Sequence, residues 1–235
     1  MAVVMTSCGV GSREARPGPI VATIVRDESA DWKVSYPHFS ARSQDDVALL
    51  EPSLAKMNTD IEKRVKLFTS AAVESMACVE AGGVCDTSVL GPNARWTLDY
   101  SVRSLRYRDI AVVLIRGYED TLGNHPMNTS FSAAFDMRSG RAIVLGDVID
   151  SHDLGALAPV AVKAVVDAIG MSYTDSEWLN EGVRDIENYS TWWPDDDGLH
   201  VIFAAYGVAA WAAGTPEIVL PWSAFDAKDA AVLRG

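Results

Sequence analysis

Between Arg95 and Leu145 the chain sets strand after strand with little between them. RWTLDYSVRSLRY (95–107) alternates, with Trp96, Leu98, Tyr100 and Val102 on one face. IAVVLIRGY (110–118) is apolar almost throughout, and TSFSAAFDM (129–137) is a third strand. Arg138-Ser139-Gly140-Arg141 is a tight turn in which glycine supplies a positive φ, and 142–145 returns from it. Strands that follow one another this way favour an antiparallel meander.

The flanking segments fit around that block. IVATIV (20–25) and WKVSY (32–36) read as a hairpin joined by RDESAD, after which YPHFS leaves the sheet, because Pro37 blocks a central strand. Residues 47–76 read as a helix with Leu50, Leu54, Met57, Ile61, Val65, Phe68 and Ala72 on one face. Glu62 and Lys66 form an i,i+4 pair on the other face, and Pro52 is expected in the first turn. Residues 154–169 read as a second amphipathic helix with Leu154, Leu157, Ala161, Ala164, Val165 and Ala168 inward. A shorter helix in YTDSEWLNEGVRDI is capped by Thr174 or Asp175 and buries Trp178 and Leu179. A turn at 195–198 separates two further strands, with Leu199, Val201 and Phe203 on one face. A short strand at 218–220 and a helical turn at 226–233 close the chain. Strands and helices segregate in blocks, so the class is α+β, with two amphipathic helices packed on antiparallel sheet. The division expected is a tether at 1–19, an N-terminal lobe at 20–92 and a C-terminal lobe at 93–235.

The net charge of −12 and the absence of a Lys/Arg cluster exclude a nucleic-acid partner and favour a cationic one. Acidity also serves solubility alone. The most apolar stretch, 201–213, is shorter than the roughly 20 residues a membrane-spanning helix needs. Three cysteines are present. Cys78 and Cys85 bracket glycines that permit the reversal of a short disulfide loop, which implies an oxidising compartment; two buried thiols are the alternative. Cys8 follows an apolar run and small residues, and resembles the lipid-attachment cysteine that ends a bacterial lipoprotein signal, with residues 9–19 as a flexible tether.

No assembled catalytic motif is present. His125, in GNHPMNTS, is one of four histidines; Ser130 or Ser132 would be its nucleophile and Asp136 or Asp147 its orienting carboxylate in a hydrolytic reading. The competing readings are a ligand contact and a structural role, with the imidazole capping loop backbone groups. Asp195-Asp196-Asp197-Gly198 resembles the start of a calcium loop but lacks the downstream acidic ligand, so it reads as a hairpin turn. Trp192-Trp193-Pro194 offers a sugar-stacking platform, although adjacent strand residues face opposite ways, which puts one tryptophan in the core. No metal or cofactor is expected.

Two stretches together carry a resemblance: GNHPMNTSFSAAFDMRSGRAIVLGDVI (123–149) and DGLHVIFAAYGVAAWAAGTPEIVLPWSAF (197–225). They resemble the C-terminal domain in the ectodomain of the lysozyme-sensing anti-sigma factor RsiV and the mycobacterial secreted immunogenic protein family. The upstream strand, YPHF and long helix resemble the companion N-terminal domain, also found in a peptidoglycan deacetylase. The resemblance implies an extracytoplasmic α+β fold, and it covers members that bind lysozyme and members described as esterase-like. The expected function is therefore that of an envelope lipoprotein, monomeric, lipid-anchored through Cys8 or secreted. It would bind a lysozyme-like protein or a cell-wall glycan through Asn124, His125 and Tyr206. A weak esterase is the alternative.

Overall fold

The computed structural model describes residues 19–80, 95–122, 125–147, 149, 153–170 and 176–225. Among them, strands β1 (Ile20–Glu28), β2 (Trp32–Ala41), β3 (Trp96–Tyr107), β4 (Ile110–Asp120), β5 (Met127–Asp136) and β6 (Ala142–Ile143) form one sheet in sequence order. Strands β7 (Thr191–Pro194), β8 (Gly198–Ile202) and β9 (Glu217–Pro221) form a second. Helix α1 (Gln44–Glu80) leads into β3, while α2 (Asp153–Ile169) and α3 (Glu177–Gly182) precede the second sheet. This is the expected α+β class, and the meander β3-β4-β5-β6 is antiparallel throughout. The first sheet takes strands from both sides of residue 92 through the parallel pairing of β2 with β3.

β4 explains why one strand reads as apolar almost throughout. Successive side chains point to opposite faces. Ala111, Val113 and Ile115 face a core that contains Leu50, Leu54 and Ile61 of α1. Ile110, Val112 and Leu114 face a core that contains Leu157 and Val165 of α2 together with Leu199 and Val201 of β8. β4 is thus the wall between two cores. All of the inward face expected for α1 is buried or half-buried. On α2, Ala168 is exposed, and Ala158 and Val162 take the inward places instead.

Several expectations are corrected. YPHFS does not leave the sheet: β2 continues through Pro37 to Ala41. β3 pairs only with residues 32–35 of β2, so beyond Ser35 the strand has a ladder on one side and needs no second N–H. There the Asn58 side chain of α1 substitutes for a strand. Its Oδ1 accepts the Phe39 N–H at 2.7 Å and its Nδ2 donates to the Phe39 carbonyl at 2.9 Å.

Pro52 lies in the third turn of α1 rather than the first, because the helix begins at Gln44. The ring removes the hydrogen bond from residue 52 to the Ala48 carbonyl. The neighbouring turn is held from outside, where the Ser53 hydroxyl donates to the Gly140 carbonyl at 3.1 Å. Gly140 has φ 69°, and a Cβ there would lie 2.0 Å from the Leu49 carbonyl oxygen, so both the turn and the close approach require glycine. The i,i+4 ion pair formed on α1 is Lys56–Asp60, and Glu62 and Lys66 are both exposed. The helix runs past Cys78 to Glu80. Cys8, Cys85, Thr174, Asp175 and the turn at 226–233 lie outside the described residues. α3 is capped by Ser176, whose Oγ accepts the Leu179 N–H at 3.3 Å.

Candidate functional site

The two sheets meet along the free side of β5. The Thr191 hydroxyl of β7 donates to the Ser130 carbonyl at 2.8 Å, and the Trp192 N–H donates to Ser132 Oγ at 2.8 Å. Ser130 Oγ lies 3.3 Å from Thr191 Oγ1. The two candidate nucleophiles therefore splice one sheet to the other. Their proposed partners are elsewhere. Asp136 organises the β5–β6 turn, where the Arg138 N–H and the Ser139 hydroxyl hold its carboxyl below the usual carboxylate range. Asp147 pairs with Arg141 at 3.1 Å. The His125 ring stacks on Trp211, with centroids 3.9 Å apart and an interplanar angle of 24°. Its buried Nδ1 has no hydrogen-bond partner among the described residues. The structure does not bring His125, these serines and these carboxylates together as a triad. Asn124 lies outside the described residues.

The turn at 195–198 is the hairpin turn expected: Asp195 Oδ1 accepts the N–H groups of Asp197 and Gly198 at 2.8 and 3.2 Å. Asp195 Oδ2 lies 2.6 Å from His200 Nε2, whose ring stacks on Trp193. Neither Trp192 nor Trp193 is an exposed platform; both are buried. Only four residues long, β7 is covered on both faces, so strand alternation does not expose either ring.

The exposed aromatic surface forms elsewhere, where the sequence placed a buried residue. Trp178 is 44% exposed and Tyr206 51% exposed. The Trp178 indole N–H donates to the Tyr206 carbonyl at 3.2 Å. Tyr206 has φ 68°, a left-handed conformation that costs a non-glycine residue about 1 kcal/mol or more. The surroundings hold it there. Asn188 Nδ2 donates to the Gly182 carbonyl at 2.8 Å and reaches the Gly207 carbonyl at 3.4 Å. A Cβ on Gly182 would lie 2.3 Å from the Gly207 carbonyl oxygen, so α3 sits against the Tyr206 turn with no space between. Glu177, Glu181, Asp185 and Glu187, all exposed, occupy the same short segment as Trp178, with Arg184 among them. Trp178 was missed because it is the second residue of a helix only six residues long, where its neighbour Leu179 takes the inward position.

A concave region lies between α1 and β5. It has a volume of about 570 Å³, and Met57, Ile61, Phe131, Ala133 and Phe135 form its apolar walls. Arg64, Thr129 and Ser130 lie along its polar end. Its residues are scattered from Ser53 to Ala142 and carry no motif.

This arrangement defines an α+β protein of two sheets, one strand of which separates two cores. Residues 147–223, which include the Trp178–Tyr206 surface, match the family described as Protein of unknown function (DUF3298). The fold is shared with a DUF3298-family protein of Bacteroides fragilis, at 15% identity and a TM-score of 0.56, over 87% of this chain and 90% of that one. A DUF3298-family protein of Pseudomonas aeruginosa gives 14% identity and a TM-score of 0.55, over 88% and 92%. No curated protein matches.

Proposed function

We propose that this protein is an extracytoplasmic, envelope-associated binding module that docks a cationic, lysozyme-like protein on the Trp178–Tyr206 surface. The observation that carries this reading is Tyr206, held half-exposed in a strained backbone conformation beside an exposed tryptophan. Strain of this kind persists only where the surroundings fix it, and it concentrates at binding sites. Aromatic anchors dominate protein interfaces. The acidic residues around Trp178 and the net charge of −12 steer a basic partner toward it. The resemblance to the RsiV ectodomain and to the mycobacterial secreted immunogenic proteins supports an extracytoplasmic setting. The lipobox-like run before Cys8 supports a lipid anchor, and Cys78 with Cys85 supports an oxidising compartment.

Calorimetric titration of residues 9–235 with lysozyme at two salt concentrations tests the proposal. Binding is expected to weaken as salt rises, and Tyr206→Ala or Trp178→Ala should weaken it by about tenfold or more. No binding at either salt, or binding unchanged in both variants, would sink the reading. Binding of a cell-wall glycan in its place, lost in the same variants, would transfer the surface to sugar stacking.

A further inference from the structure

The groove lies between α1 and β5, and polar groups of the helix reach the sheet at two places along it. At one end the Ser53 hydroxyl holds Gly140. At the other Arg64 pairs with Glu119 of β4 at 3.0 Å. Eleven residues of helix separate these ties, roughly 16 Å at 1.5 Å per residue. The space left, about 570 Å³, is within the range of small-molecule sites, and its walls are mostly apolar.

The Arg64 end carries donors that the fold leaves unused. Thr129 Oγ1, which lines the groove, is buried without a hydrogen-bond partner among the described residues. The same holds for the hydroxyl of Tyr100, a residue only 2% exposed. Arg64 lies beside that hydroxyl and opposes the rise that burial causes in its pKa, and its own pairing to Glu119 occupies one of its two terminal nitrogens. Gly117 makes this crowding possible: a Cβ there would lie 2.4 Å from the Tyr100 ring and 2.6 Å from Thr129 Oγ1. Buried hydroxyls are normally satisfied, so two unsatisfied ones beside a guanidinium mark a place for an acceptor from outside.

We infer that this groove binds a single-chain amphiphile, its aliphatic chain between Met57, Ile61 and Phe131 and its carboxylate on Arg64 and Thr129. A carboxylate accepts several hydrogen bonds at once and matches the guanidinium fork. Lys56 and Asp60, which also line the groove, are exposed and paired with each other, and the Ser53 hydroxyl is committed to Gly140, so the head lies toward Arg64 and Thr129 and the tail toward Phe135 and Ala142. This site is separate from the Trp178–Tyr206 surface, and neither proposal depends on the other.

The test is calorimetric titration of the full chain with laurate, below its micelle concentration, beside its neutral ester with glycerol. Laurate should bind and the neutral ester should bind at least tenfold more weakly. Thr129→Val, which keeps the side-chain shape, should weaken laurate by about fivefold, the loss of one hydrogen bond. Ala133→Phe should fill the groove and abolish binding, with circular dichroism reporting the fold. If that variant does not fold, Thr129→Val and Met57→Trp decide the question. Absence of laurate binding, equal affinity for the neutral ester, or binding unchanged in the variants each overturns the inference.

Discussion

The two cores on either side of β4 are built by different means. The α1 core rests on long regular elements: one helix of 37 residues lies over strands of 9 to 12. The α2 core is assembled from short pieces and closed by polar handles on aromatic rings. The Tyr189 hydroxyl donates to the Val183 carbonyl at 2.7 Å, and the Trp222 indole N–H donates to the Asp195 carbonyl at 2.8 Å. Regular elements leave a groove where helix and sheet diverge. Short pieces fill their space but rely on individual hydrogen bonds to stay in place. The first core has room for a ligand, and the second has precision at its surface, where Tyr206 is presented.

The largest contrast should come from truncating each core. Leu157→Ala removes a fully enclosed side chain and should cost about 3–5 kcal/mol in urea unfolding. Ile61→Ala, at the margin of the groove, should cost about 2 kcal/mol, because part of the space it leaves is already open to solvent. Equal costs would erase the distinction between a filled core and a grooved one.

A matched pair of tyrosines sharpens it. Tyr189→Phe leaves a buried carbonyl unpaired and should cost about 1–3 kcal/mol. Tyr100→Phe deletes a hydroxyl that makes no hydrogen bond, so the unliganded protein should lose little or gain slightly. The same pair responds to pH. Burial raises both phenol pKa values, that of Tyr189 far above the ordinary value of about 10; for Tyr100 the Arg64 charge opposes the rise. A raised folded pKa stabilises fully below the unfolded value and is lost as pH climbs past it. Stability should therefore decline above about pH 10, and Tyr189→Phe should flatten that decline more than Tyr100→Phe, as read from unfolding midpoints against pH.

The smallest effect should be the same on both sides. Lys56–Asp60 on α1 and Lys163–Asp167 on α2 are exposed pairs one turn apart. Lys56→Ala and Lys163→Ala should each change stability by no more than about 0.5 kcal/mol, less in high salt. A larger effect from one of them would give that helix a role beyond its apolar face.

Much of the fold was legible because periodicity carries it. Leu50 to Ala72 on α1 and the strands from Trp96 to Asp136 follow repeats of 3.6 and 2, and the structure places them as those repeats require. What was not legible depends on partners distant in sequence. Pro37 could be assigned only by knowing that β3 stops pairing at Ser35 and that Asn58 completes Phe39. The burial of Trp192 and Trp193 depends on both faces of a four-residue strand being covered. Tyr206 was among the residues singled out, but its partner Trp178 was placed in the core, since a cap gives a helix start and not its rotation. The groove left no trace in the sequence: Arg64, Thr129 and Tyr100 meet only after α1 has been laid on the sheet.

A strand with apolar side chains on both faces loses the usual safeguard against sliding. In a half-buried strand, a shift by one residue turns greasy groups outward and is penalised at once. For β4 such a shift exchanges one apolar set for the other, and hydrophobicity alone barely registers the error. Size has to discriminate instead. Gly117 fits opposite the Tyr100 ring, where a Cβ would lie 2.4 Å from it. A step either way would bring Arg116 or Tyr118 into that place. The glycine therefore acts as the reading frame of the meander, and errors in strand alignment are rejected there by steric exclusion.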